Sequence, residues 1–127
     1  MHKYALNPDP KSSVRVYGRN INVSLKTSQV LCRKITGMNL EKAKGVMEEL
    51  ISEKRSLDGR YYTKTSKEML SLLKSAESNA EVKGLDTSRL NVQASSHTGF
   101  TFMRPRRLKM RRTRRKITNI QVLLVQK

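Results

Sequence analysis

Nine basic residues lie between Arg104 and Lys116, in the run RPRRLKMRRTRRK, and no carboxylate follows Asp86 in the remaining 41 residues. Cationic groups at that density repel one another in water and cannot form a packed core. Their chemistry is neutralisation of a polyanion, with arginine forks matching phosphate oxygens two at a time. The run predicts a nucleic-acid contact through Arg104, Arg106, Arg107, Lys109, Arg111, Arg112, Arg114, Arg115 and Lys116, with the polyanion ordering the tip. Pro105 stiffens the start of this tip. Leu108 and Met110 place apolar side chains among the charges, suited to packing on bases or to plain filling between them.

Other chemistry is sparse. The two histidines, His2 and His97, lie far apart in sequence, and neither has a partner at metal-ligand spacing. His97, close to Ser95 and Ser96, is suited to a hydrogen bond with phosphate or backbone. The chain carries no glycine-rich phosphate loop of the usual spacings. The carboxylates of residues 41–53 read as a solvated face paired with Lys42, Lys44, Lys54 and Arg55. No catalytic site, metal or cofactor is therefore expected. A single cysteine, Cys32, cannot form an internal disulfide and reads as a small core residue. The chain has no long apolar run, and the basic segment lacks the apolar face of a membrane-active helix. A soluble, reducing compartment is the expectation, with no membrane and no homo-oligomer.

The elements that must carry this tip follow from charge and periodicity. Of the net +17, residues 1–40 contribute seven basic groups against Asp9, residues 41–86 nine against nine, and residues 87–127 eleven against none. This pattern reads as a neutral helical body between two basic flanks. It gives an extended N-terminal tail over 1–13 lying on a partner, a globular helical body with a first strand over 14–88, and a long β-hairpin over 89–127 with its basic tip at 104–116.

Ile21, Val23 and Leu25 alternate with polar residues and predict the first strand. A helix from Thr27 or Ser28 should bury Leu31 and Ile35 and stop at Gly37. Asn39 can cap a second helix with Leu40, Ala43, Met47, Leu50 and Ile51 on one face, the two helices forming a hairpin. Thr65 and Glu68 have the spacing of a capping box for a third helix, which buries Met69, Leu72, Leu73, Ala76 and Ala80 and ends at Gly84. Leu90, Val92 and Ala94, then Phe100 and Phe102, alternate before the tip; Ile120, Val122 and Leu124 alternate after it. Pairing residues 89–103 with 115–126 makes a ribbon of roughly 40 to 50 Å, longer than the body, so its distal part projects.

The segments HKYALNP, KSSVRV, INVSLKTSQVLCRKI, GMNLEKAKGVMEELI, SAESNAEVKGLD and ITNIQVLLV, in this order, resemble large-subunit ribosomal protein twenty-two in the universal naming, seventeen in the older eukaryotic naming. The likeness spans nearly the whole chain. YALNP is closest to the eukaryotic branch, although SLDGRYYTKTS is shorter than the insertion usual there. FMRPRRLKM resembles the arginine-proline pattern of bacterial relatives.

This resemblance implies an α+β fold: three helices packed on a small antiparallel sheet, with a long projecting β-hairpin carrying the basic tip. It implies a structural constituent of the large ribosomal subunit that binds ribosomal RNA, supports subunit assembly and lines the peptide exit tunnel. Its implied partners are large-subunit ribosomal RNA, neighbouring proteins including large-subunit protein four, and the nascent peptide. The implied location is the cytoplasmic large subunit, with assembly in the nucleus or nucleolus in a eukaryote. Lys11, Arg15, Arg19 and Lys26 become RNA-facing groups of the body, and Leu108 and Met110 candidates for the tunnel side. The alternative from composition alone is a non-ribosomal RNA or DNA chaperone with a basic hairpin.

Overall fold

The computed structural model describes residues 3–103, 109 and 113–127. The described elements are β1 (Ser13–Ile21), α1 (Leu25–Ile35), α2 (Leu40–Ile51), α3 (Thr63–Val82), β2 (Leu90–Met103) and β3 (Arg114–Gln126), with a single 3-10 turn at Thr87–Arg89. The strands form one antiparallel sheet in the order β1-β3-β2. This is the α+β arrangement anticipated: three helices on a small sheet from which two strands run on as a ribbon.

One face of the sheet meets the helices. Leu90 and Val92 on β2, and Ile120, Val122 and Leu124 on β3, are fully buried beside Leu31 and Ile35 of α1 and Met69, Leu73, Ala76 and Ala80 of α3. Alternation in the strands and helical spacing in α1 and α3 deliver these side chains to one apolar cluster. Small Ala76 and Ala80 belong to the helix that packs against α2 and β1. Cys32 sits in the same cluster, the small core position its sequence context suggested.

The first strand lies earlier than the 21–25 alternation suggested. Val14 is buried, Arg15 is exposed, and the pairing shifts register between Gly18 and Ile21, where Asn20 has a φ of 53°, before Ile21 closes the strand opposite Thr118. Val23 is buried from the turn that follows, and Leu25 already opens α1. A period-two pattern can arise from a turn and a helix start as well as from a strand, and here it does.

Several local expectations change for identifiable reasons. Thr65 does not cap α3, which begins at Thr63 after a left-handed Tyr62 (φ 48°); Thr65 is buried, with its hydroxyl 3.0 Å from that of Thr27. Asn39 stands at the N-cap of α2, but its amide donates to Ser88 O at 2.9 Å instead of capping the helix. α1 and α2 do not form a packed hairpin, because α1 packs mainly on β2 and α2 on α3. Their turn is hooked to β2 by Gly37 N donating to Val92 O and Val92 N to Met38 O, both at 2.8 Å. Ile51 is only partly buried, and Val46 joins the α2 core face in its place. Space around Gly45 is open, so no close backbone contact explains that glycine.

The ribbon follows the expected pairing. Leu90 lies opposite Gln126 and Met103 opposite Arg114, with one register shift between Thr98 and Thr101. Fourteen residues of β2 at about 3.3 Å each extend roughly 46 Å. Gly99 sits in the shift, where an added Cβ would lie 2.9 Å from Ile117 O and from Asn119 Oδ1. A side chain there would press on the partner strand's own backbone, so the irregularity requires glycine.

Candidate nucleic-acid interface

The basic residues anticipated as an interface fall into three groups. Arg104, Arg106, Arg107, Leu108, Met110, Arg111 and Arg112 lie outside the described residues. Lys109 is exposed, and Arg114, Arg115 and Lys116 are exposed at the start of β3. Lys11, Arg15, Arg19 and Lys26 are all exposed on the body. The last carboxylate before the ribbon, Asp86, is engaged within its own turn, where it also meets Arg89 Nε at 3.6 Å. It accepts from Ser88 N at 3.2 Å and Ser88 Oγ at 2.8 Å, and these bonds hold its pKa below the ordinary value. No carboxylate therefore offsets the ribbon's charge beyond that point.

Arg15 and His97 are drawn into one arrangement on the sheet face opposite the helices. The Arg15 guanidinium lies 5.4 Å from the Tyr4 ring centroid and donates to Pro8 O at 3.3 Å. Tyr4 meets Tyr17 edge-on at 6.0 Å. His97 Nε2 is 3.1 Å from Tyr17 Oη and 3.3 Å from Asn119 Nδ2. The N-terminal segment thus lies across its own sheet, where the sequence reading had laid it on a partner. Two aromatic rings and a guanidinium give it a binding surface within the chain. Both Arg15 and His97 keep exposed surface while contributing to this contact.

Of the ion pairs expected in the helical body, that of Arg55 with a carboxylate of α2 forms, whereas Lys44 turns to α3. Lys44 reaches Glu77 of α3 at 2.6 Å, and Arg55 reaches Glu49 at 3.5 Å. Lys83 donates to Ser13 O at 3.0 Å and Pro10 O at 3.3 Å, fastening α3 to the start of β1.

One feature was not legible in the sequence. A groove of about 470 Å³ runs between the turn into α1, the start of α3 and the ribbon, with Tyr62, Lys64, Phe102, Arg115 and Lys116 among its lining residues and no carboxylate. Phe100 and Phe102, read only as alternating strand residues, are 62% and 41% exposed and stacked at 6.5 Å with an 18° tilt. Two aromatic residues two positions apart in a strand, with Arg115 opposite one of them, were the available signal. Among the described residues there is no cluster of metal-ligating side chains, and no helix is long and apolar enough to cross a membrane.

Residues 16–124 match the family described as Ribosomal protein L22p/L17e. The chain is 37% identical to the large ribosomal subunit protein uL22 of Methanocella arvoryzae over 70% of this chain and 71% of that one. It is 32% identical to that of Methanocaldococcus jannaschii over 80% and 78%, and 33% identical to that of Methanococcus maripaludis over 80% of each. These relatives are archaeal, whereas YALNP had pointed to the eukaryotic branch.

Proposed function

The chain belongs to the Ribosomal protein L22p/L17e family, and from that premise we propose that it is a structural constituent of the large ribosomal subunit, binding ribosomal RNA and supporting subunit assembly. The observation that carries this reading is the β2–β3 ribbon. It is a two-stranded arm whose last described pair is Met103 and Arg114, and the run from Arg104 to Lys116 carries nine basic groups and no carboxylate. Such an arm is marginal alone in water and gains its stability from what it lies against. Folded RNA supplies both the charge and the shape. The deep major groove of A-form helices is closed to side chains, so phosphates and surface form carry recognition.

The finer assignments rest on the same premise. The hairpin lines the peptide exit tunnel beside large-subunit protein four, with Leu108 and Met110 toward the nascent peptide and the surrounding arginines on phosphate. Lys11, Arg19 and Lys26 supply body contacts to RNA, and Arg15 and His97 add to them from the sheet face that holds the N-terminal segment. Catalysis forms no part of this role, and the site of action is the cytoplasmic ribosome.

Binding to large-subunit RNA fragments measured against salt tests the proposal. Six to nine neutralised phosphates, at about 0.7 to 0.9 each, give a log-log slope near −4 to −8. A slope shallower than about −2 would remove the tip from phosphate and defeat the reading. Equally tight, sequence-tolerant binding to duplex DNA would favour a chaperone instead.

A further inference from the structure

We propose that the groove between the start of α3 and the ribbon holds an unpaired nucleotide of the RNA, its base stacked on Phe102 and its phosphate met by Lys64, Arg115 and Lys116. This inference rests on the RNA-binding role above and adds a distinct site and ligand class to it. The basic tip explains attraction to any phosphate surface. The groove has the ingredients for reading a base that has left its helix.

Three observations combine. The first is size: about 470 Å³ lies within the range of small-ligand sites, which suits one everted nucleotide and not a duplex. The second is the apolar surface left in water. Phe102 is 41% exposed although it stacks on Phe100, and Met103 beside it is 62% exposed. An aromatic pair held open on a strand, with one ring lining a groove, is a platform on which any base can stack. The third is charge, because the lining contains three cations and no carboxylate. The strand register sets Arg115 directly across the ladder from Phe102. A cation is thus placed next to the stacking surface, where the phosphate of a stacked nucleotide lies.

The groove walls are also fixed by contacts within the chain. The hydroxyls of Thr27 and Thr65, both lining residues, are 3.0 Å apart and tie the first turn of α1 to that of α3. Thr118 Oγ1 donates to Val23 O at 2.9 Å and ties β3 to the turn before α1. Two walls are therefore held before any ligand arrives, which limits the ordering cost of binding.

The experiment uses the full chain, a short single-stranded RNA carrying 2-aminopurine and a duplex RNA of the same length. The unaltered protein should quench the probe. Phe102→Leu should weaken single-strand binding about 5- to 150-fold, the range for loss of one stacked base, and abolish the quench. Duplex binding and the salt slope on large-subunit RNA should not change. Phe102→Tyr, which keeps a stacking face, should restore both affinity and quench. Lys64→Gln should reduce the single-strand salt slope by about 1.

Wild-type quench and affinity in Phe102→Leu would overturn the groove proposal while leaving the salt-dependent RNA role intact. Displacement of the probe by an acidic peptide as effectively as by single-stranded RNA would also overturn it. Absence of binding to any RNA would defeat the broader reading and this one together.

Discussion

The side chain of Gln121 holds the main chain at Ala5. Its Oε1 accepts the Ala5 N–H at 3.0 Å, while its Nε2 donates to Lys3 O at 2.6 Å. Gln121 is 6% exposed on the central strand, and Ser95 Oγ donates to the same Oε1 at 3.2 Å. The amide thus substitutes for a peptide unit, letting β3 bond the N-terminal segment from a position already paired on both sides with Tyr17 and Ser95. Tyr4, between the two bonded residues, is thereby set against Tyr17 and under Arg15.

Gln121→Ala should release that segment without harming the ribbon. Three hydrogen bonds to the amide are lost, two of them to the N-terminal segment and one from Ser95 Oγ, but the freed backbone groups at Lys3 and Ala5 are exposed and rehydrate. A stability loss of about 1 to 2 kcal/mol is expected. Hydrogen exchange should show Ala5 losing protection while the amides of Val92 and Val122 keep theirs. Unchanged protection at Ala5 would mean that the tyrosine and arginine contacts hold the segment unaided.

The ribbon was the most legible part of the chain. Its two strands alternate cleanly on either side of a basic run, and the register found runs from Leu90–Gln126 to Met103–Arg114, close to the span expected. The helix stops at Gly37 and Gly84 were also readable, since both glycines adopt positive φ. Caps were not. Asn39 and Thr65 each have the right side chain at the right spacing, yet both are drawn into tertiary hydrogen bonds, to Ser88 and Thr27. Local sequence cannot show a partner 38 or 49 residues away. The groove was hidden for the same reason, being built from the turn into α1, the start of α3 and both ribbon strands.

Cys32 should make the fold sensitive to alkaline pH. It is 3% exposed within the core, and burial pushes its thiol up to about 11 from an ordinary 9.0, because a thiolate there would lack water. The folded state therefore keeps a proton that the unfolded chain gives up. This contribution is complete below pH 9.0 and is lost as pH rises toward 11. At 1.36 kcal/mol for each unit, the total is roughly 2 to 3 kcal/mol. Urea titrations of the native chain and Cys32→Ala at a series of pH values isolate it, since the other titrating groups are common to both. The two should converge as pH climbs through this window apart from a constant packing difference, and alkylation at pH 8 should be slow until the protein unfolds. A parallel pH dependence in the two proteins would show that the thiol titrates normally.

The tip should have two separable roles, because its residues have two chemistries. Replacing Arg111, Arg112, Arg114 and Arg115 with Ala removes four cations that suit phosphate, including the one that closes the described ribbon opposite Met103. Each lost phosphate contact should lower the salt slope by about 1, and large subunits should accumulate poorly. Deleting Leu108 to Met110 removes two apolar side chains and one lysine while leaving the body and the flanking arginines to anchor the protein. Subunits should then assemble, with altered passage of nascent chains or altered sensitivity to compounds that bind the tunnel. Sucrose-gradient profiles and translation of a stalling peptide distinguish the two defects. Should the deletion block assembly as severely as the arginine substitutions, the tip acts as one cooperative RNA anchor, and Leu108 and Met110 belong to the RNA side and not to the tunnel.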